Sequence, residues 1–399
     1  MTDDTHIGSQ ERRVAMLAEE ILAEAHNGLF YDADDADEAR FTRLRRIGAG
    51  VLAEVDRRDT ETILAGLPAT DRLWTPLLAV VLILSHQRDG VLLTVADDGH
   101  AAMPHGFVPV SQDPEAAVRE LARRVMPGEE VVPVPHGICD SISAGLMQRH
   151  TYHLTYVVDV TFVPEESFAV PLCPAETATV TDPLTGYILA GAERDVLESP
   201  FRINSTIREL LAESVEIADS GRDSTTDPWN RERYRRVGDT ARAVLAADAI
   251  GHEYRPRDFG PLDIATPVTA AEMLILGHDG RILLLERFDT GQWAMPGGGC
   301  EVGETSAATA VRECREELGV EVSVEGLAGV YDNRVIQAAD PGEWVCFVYV
   351  GHLDGDSPEP SRTVEATDFG WYRPDELSTL DMYNSHDVKI ERTLKLLAG

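Results

Sequence analysis

The chain has 399 residues, with 69 acidic against 35 basic side chains, a formal net charge of −34 and 43% hydrophobic residues. That length suits about two to four domains with packed cores, and that charge repels polyanions, which excludes DNA as a partner and disfavours long RNA. No apolar run reaches membrane-spanning length, the N-terminus lacks the plan of a secretory signal, and cysteines at 139, 173, 300, 314 and 346 without any C-x-x-C predict free thiols in a reducing cytoplasm.

Residues 9–65 read as a helical module. Val14, Leu17, Ile21 and Leu22 recur at helix period, and the acidic turn DADDAD follows at 32–37. Residues 71–200 open with Leu77–Leu84, an apolar run of buried-strand length, and continue with turns, a helix and further strands. Residues 203–250 repeat the helical plan around the turn DSTTDP at 223–228. A linker, GHEYRPRDFGPLDIATP, then leads to a second mixed region over 266–399, opening with AEMLILGHDG and RILLLERF. The fold class expected is α/β (α+β), two α/β/α sandwiches each preceded by a small helical module.

The chain also aligns with itself at a shift of 193. Asn27-Gly28 meets Ser220-Gly221, Arg40-Phe41 meets Arg233-Tyr234, and Val118-Arg119-Glu120 meets Val311-Arg312-Glu313. Met103-Pro104 meets Met295-Pro296 at 192. Two copies predict a tandem duplication rather than a solenoid.

The second copy carries the chemistry. Its string GGCEVGETSAATAVRECREELGV, residues 298–320, places Gly298, Glu304, Arg312-Glu313, Glu316-Glu317 and Gly319 at fixed spacing. Projected as a helix over 305–318, Ala307, Val311, Cys314 and Leu318 form the stripe expected to face a sheet, with Glu313, Glu316 and Glu317 grouped on nearly the opposite side. Glu304, Thr305 and Ser306 suit the helix start and Gly319 the residue past its end. Three carboxylates within one turn repel one another, and hard divalent cations relieve that repulsion. A lone acidic face is usually only solvated. Here the glycine-rich entry Met295-Pro296-Gly297-Gly298-Gly299 stands in register with it, and such a loop brings backbone amides close to an anion.

This spacing matches the Nudix box, so the second mixed region resembles the Nudix hydrolases. The resemblance implies that Glu313, Glu316 and Glu317 hold Mg2+ or Mn2+, one of them relaying a proton, and that Arg312 pairs with Glu304 to brace the loop. The helical modules, on Asn27-Gly28-Leu29-Phe30-Tyr31, Phe41-Thr42-Arg43-Leu44, Asp227-Pro228-Trp229 and Arg233-Tyr234-Arg235-Arg236, resemble the N-terminal module of X-linked nucleoside diphosphate hydrolases, the group that includes CDP-choline pyrophosphatases. In that group the module pairs two chains, which implies a pseudo-dimer within this one; further self-association stays open.

The first copy departs from the pattern. Gly106, Arg119 and Glu120 are kept, but Gln112 stands at the Glu304 position and Arg123 and Arg124 stand at those of Glu316 and Glu317. Guanidinium groups do not ligate cations. Either this copy is a scaffold, or Arg123 and Arg124 bind phosphate directly. In the second copy, Glu365, six residues before Trp371-Tyr372, is a candidate further ligand or general base. Gly297, Gly298, Arg287 and Arg334 are candidate phosphate contacts, whereas Trp293 is expected to pack beneath the loop. The activity expected is metal-dependent hydrolysis of a small nucleoside diphosphate linked to X, of CDP-choline, ADP-ribose or sugar-nucleotide type. The alternatives are a nucleotide-sensing or scaffold protein and RNA 5′-end hydrolysis.

Overall fold

A computed structural model describes residues 9–31, 33–86, 90–95, 100–129, 132–142, 149–160, 172–175, 180, 182–190, 202–246, 249–250, 253–336, 338 and 342–398. It separates into two compact units: Met1–Val108 with Pro114–Thr266, and Pro109–Asp113 with Pro267–Gly399. Among the described residues no helix is long and apolar enough to cross a membrane. Cys139, Cys300, Cys314 and Cys346 are buried free thiols.

The first unit contains both helical segments. The first consists of α1 (Ser9–Phe30), α2 (Asp35–Ala53) and α3 (Thr60–Ala65). Asp34 caps α2 by accepting from the Ala36 and Asp37 amides. So the acidic turn closes at its third residue, Asp34, and the rest of DADDAD forms the first turn of α2, where negative charge favours the helix start. In the second helical segment, which packs on the first, Asn204 caps a helix spanning Ser205–Ser224 and a further helix spans Pro228–Ala246. Phe41 and Tyr234 stack face to face, centroids 4.8 Å apart. A Cβ at Gly28 would lie 2.5 Å from the Phe41 ring and one at Gly221 2.5 Å from the Tyr234 ring, so both positions require glycine. The buried Asp37 carboxylate accepts from Tyr234 Oη at 2.8 Å, Thr225 Oγ1 at 2.8 Å and Asn230 Nδ2 at 3.2 Å.

Between those segments lies a sheet of β1 (Leu77–His86), β2 (Gly90–Val95), β3 (Ala101–Ala102), β4 (His105–Phe107), β5 (Val134–Asp140), β6 (Thr151–Val160) and β7 (Leu172–Pro174), with helices α4 (Pro114–Val125) and α5 (Pro183–Ala190). The two later helices are α6 (Ser205–Ser224) and α7 (Pro228–Ala246), and two-residue strands β8 (Arg202–Ile203) and β9 (Ala249–Ile250) flank them. The sheet order is β3-β2-β1-β6-β5, with β4 on β1 and β7 on β2.

The second unit has β10 (Val268–Leu276), β11 (Ile282–Arg287), β12 (Trp293–Ala294), β13 (Gly297–Gly299), α8 (Ser306–Leu318), β14 (Val322–Asp332), β15 (Trp344–Leu353), β16 (Ala366–Tyr372) and α9 (His386–Leu397). Its sheet order is β12-β11-β10-β15-β14, with β13 on β10 and β16 on β11. The two sheets therefore share one strand order. They also share register: Gly106 opposes Val80 as Gly298 opposes Ala271, and register shifts fall at Pro135/Gly137 and at Leu327/Gly329. Strand alternation gives the second sheet two covered faces. Val348 and Val350 pack with Ile390 of α9, while Tyr349 meets Ser306 of α8 at 2.7 Å. This is the α/β/α sandwich that the sequence predicts.

Candidate active site

The site is built where α8 meets β13. Thr305 caps α8 by accepting from the Ala308 amide, and Gly319 ends it with φ 68°, ψ 22°, the left-handed conformation that glycine adopts without strain. The buried face of α8 differs from the predicted stripe. Ala307 and Val311 are only half-buried; Ser306, Thr309, Ala310, Glu313, Cys314, Glu317 and Leu318 are buried. Glu313 and Glu317 are thus interior groups, 7% and 5% exposed. The cause is β13, three glycines whose missing side chains leave room for carboxylates against the strand. A Cβ at Gly298 would stand 2.5 Å from Glu313 Oε1. Gly297 N–H donates to Glu317 Oε2 at 2.8 Å.

Glu313, Glu317 and Glu365 each bring a carboxylate oxygen within 4.8 Å of the others. Glu365 arrives there because its loop is pinned to the end of α8. Ser361 N–H donates to Leu318 O at 2.9 Å, Thr363 Oγ1 donates to Glu317 O at 2.9 Å, and the Glu365 amide donates back to Thr363 Oγ1 at 3.2 Å. These bonds satisfy carbonyls that a helix end leaves open. Phe288 N–H, donating to Glu365 O at 3.0 Å, fixes the other side.

Glu316 lies outside this trio. Its Oε2 accepts from Arg312 Nη1 at 2.8 Å, the same nitrogen that donates to Glu313 Oε1 at 2.8 Å. Arg312 Nε reaches both oxygens of Glu304 at 3.1 Å, and Nη2 reaches Gly299 O at 3.2 Å. Arg312 therefore ties the loop, the start of the box and two helix carboxylates into one cluster.

The electrostatics follow from burial. Loss of solvent pushes the Glu313 carboxyl up to about 7, with Arg312 pulling down and Glu316 and Glu365 pushing further up. Burial also raises Glu317 well above the ordinary carboxyl range, Glu313 adding to the rise and the Gly297 amide opposing it. Such acids are costly while unneutralised. An all-oxygen trio of this spacing fits a hard divalent cation such as Mg2+ or Mn2+.

The other candidates are held in place. Arg287 binds Asp289 through Nε at 3.0 Å and Nη2 at 2.7 Å, and its guanidinium lies 4.3 Å above the Tyr383 ring. Arg334 binds Asp332 and donates to the carbonyls of Val110 and Gln112, so it clips the segment Pro109–Asp113 to its own unit. Gly297 gives its N–H to Glu317, while Gly298 provides the space under Glu313. Trp293 packs partly buried against the core, edge-on to Tyr372. In the first unit, Glu120, Arg123 and Arg124 are exposed, and Arg119 pairs with Glu115 at 3.0 Å. Sequence reasoning missed Thr363 and a buried Glu272–Lys389 pair. The signals were a lone Glu in the apolar strand AEMLIL and a Lys in a chain with only two.

A family model described as the NUDIX domain matches residues 266–394, and one described as the UDP-X-like, N-terminal oligomerisation domain matches residues 12–67. The chain is 35% identical over 105 residues to a MutT-like protein of Streptomyces ambofaciens, covering 26% of this chain and 63% of that protein. It is 31% identical over 134 residues to the nucleoside triphosphatase NudI of Salmonella arizonae, covering 31% of this chain and 91% of that protein. Among solved structures, a UDP-X diphosphatase aligns with TM-score 0.40 and 24% identity, over 48% of this chain and 93% of that one.

Proposed function

The chain belongs to the Nudix hydrolase family, and on that premise we propose that it hydrolyses the diphosphate bond of a small X-linked nucleoside diphosphate, giving a nucleoside monophosphate and a phosphorylated X. Compounds of CDP-choline, ADP-ribose or sugar-nucleotide type are the substrate class. The observation that carries this reading is the trio Glu313, Glu317 and Glu365, two buried acids and one half-buried, with carboxylate oxygens within 4.8 Å of one another. Glu313 and Glu317 would hold Mg2+ or Mn2+ with Glu365. When bound, such a cation neutralises diphosphate charge and acidifies a water. The chain's own part is positioning. Gly297 N–H orients Glu317, Arg312 orients Glu313, and Glu365, the least buried of the three, takes the proton of the attacking water. A net charge of −34 opposes the RNA 5′-end alternative.

The first sheet is read as a degenerate copy that acts as a scaffold. Supporting this are the shared strand order and the replacement of acids by Arg123 and Arg124. The second helical segment takes the surface of the first that would otherwise pair two chains.

The test is a panel of X-linked nucleoside diphosphates incubated with Mg2+, with nucleoside monophosphate quantified, alongside a capped oligonucleotide. Wild type should turn over members of the small-molecule panel. Glu317→Gln should lose at least about 10³-fold, the several kcal/mol attributed to cation-assisted charge stabilisation, with an unchanged far-UV spectrum. Turnover by Glu317→Gln at the wild-type rate would end the assignment.

A further inference from the structure

Under β13, on the face away from α8, lies a charged cluster that the hydrolysis above leaves unused. Glu272 sits on β10 directly opposite Gly297. A Cβ at Gly297 would stand 2.6 Å from Ala271 O and 2.8 Å from Glu272 Cα and Cγ, so β10 leaves no room for a side chain there. Lys389 of α9 donates to Glu272 Oε1, and both side chains are buried, 1% and 7% exposed. Among the described residues Glu272 Oε2 has no hydrogen-bond partner within ordinary distance, and the Cys346 thiol also interacts with the Glu272 carboxylate. His386, one turn earlier on α9, accepts Met295 N–H at Nδ1, 3.0 Å, with Nε2 3.6 Å from Glu272 Oε1. The entry to α9 is strained: Asn384 and Ser385 have φ of 40° and 64°, a conformation non-glycine residues hold only when the surroundings impose it.

A buried ion pair is a poor source of stability, because apolar replacements of similar volume are commonly neutral. What it does supply is direction. Here it fixes α9 against β10, while His386 fixes the backbone two residues before the amide that holds Glu317. The first sheet gives a comparison within the chain. Val81 stands there opposite His105, and Met103 N–H is anchored by Thr185 Oγ1 at 2.9 Å, so an anchor of the methionine amide persists where, among the described residues, no acid trio is found.

We propose that Glu272, Lys389 and His386 are positioning residues that hold Met295–Gly297 at the height where Gly297 N–H fixes Glu317, and so set the spacing of the cation-binding carboxylates. This rests on the reading of the trio as a cation site. The experiment uses Mn2+ as the probe, counted by the EPR signal of the free ion, on full-length protein. Glu272→Met/Lys389→Met leaves no lone charge and should melt cooperatively near the wild-type temperature, while its Mn2+ dissociation constant rises about tenfold or more, the cost typical of removing a group that orients a ligand. On the best panel substrate, kcat should fall with KM little changed. His386→Asn keeps an acceptor where Nδ1 lies and should bind Mn2+ as wild type does; His386→Leu should bind it several-fold more weakly. Wild-type Mn2+ affinity in the double variant, or equal behaviour of His386→Asn and His386→Leu, overturns the positioning role alone. Failure of wild type to take up Mn2+ removes the cation site itself and with it this proposal.

Discussion

Three adjacent glycines should respond to alanine in three different ways. None of Gly297, Gly298 and Gly299 has a positive φ, so alanine's backbone is allowed at each. At Gly298 the new Cβ would lie 2.5 Å from Glu313 Oε1 and 2.8 Å from its Cδ. Carbon–oxygen contacts settle near about 3.3 Å, so the carboxylate must retreat by about 0.8 Å. Metal–ligand distances tolerate about 0.2 Å, and misplacement of about 1 Å costs on the order of 10²-fold in rate, or about 2.7 kcal/mol. Gly298→Ala should therefore lose about 10²-fold in turnover while folding normally, because only a side-chain end has to move. At Gly297 the obstacles are Ala271 O at 2.6 Å and Glu272 Cα at 2.8 Å, both backbone. Gly297→Ala must force β13 from β10 and should lose about 1–3 kcal/mol of stability, the usual cost of overpacking. A Cβ at Gly299 meets nothing within 4 Å, so Gly299→Ala should stay within about 0.5 kcal/mol of wild type. Thermal melts and Mg2+-dependent turnover on the best panel substrate read all three. Wild-type activity in Gly298→Ala, or equal loss in Gly299→Ala, would refute the packing argument.

Two further outcomes follow from burial. In metal-free protein the folded-state Glu313 carboxyl stands near 7 and Glu317 is also raised, chiefly by loss of solvent. The folded state then binds more protons than the unfolded chain above about pH 4.5, so stability should fall as pH rises toward 7. Cations require the ionised acids, so the rise in melting temperature caused by Mg2+ should be larger at pH 7.5 than at pH 5.5; an equal rise at both would contradict the burial argument. In the first unit, Asp37→Ala strands the Tyr234, Thr225 and Asn230 donors in a buried site where Asp37 is 2% exposed. It should cost about 3 kcal/mol by denaturant melt while leaving kcat unchanged; a loss under about 0.5 kcal/mol would show that the donors find other partners.

Much of this was legible from spacing. The helix stop at Gly319, the cap at its start, the strand at Leu77–Leu84 and the Arg312–Glu304 brace depend on near neighbours in sequence, and each appears. What local spacing leaves open is set mostly by partners far along the chain. A helical projection gives the angle between Glu313 and Glu317, but not that a side-chain-free strand lies against both. Glu365 carries no local signal of its place, which is set by Thr363 bonding to Glu317 O, across 46 positions. The clasps of Arg287 by Asp289 and of Arg334 by Asp332 are local instead, at a two-residue spacing too common in sequences to signal a clasp.

The two sheets also separate what a fold requires from what a reaction requires. Both keep the parallel central pair, the bulge before the edge strand's glycine and an anchored methionine amide. Gly106 is kept too, but the nearest group to a Cβ there is Arg124 Nη2 at 4.0 Å, against 2.5 Å for Glu313 at Gly298. Where no acid presses on the strand, nothing demands its exact height, and an apolar Val81 suffices beneath it. Where two buried acids depend on that height, the strand is underlaid by an ion pair costly to desolvate. The expense of the lower layer tracks the demands of the upper one, which is the pattern expected if the lower layer acts through position.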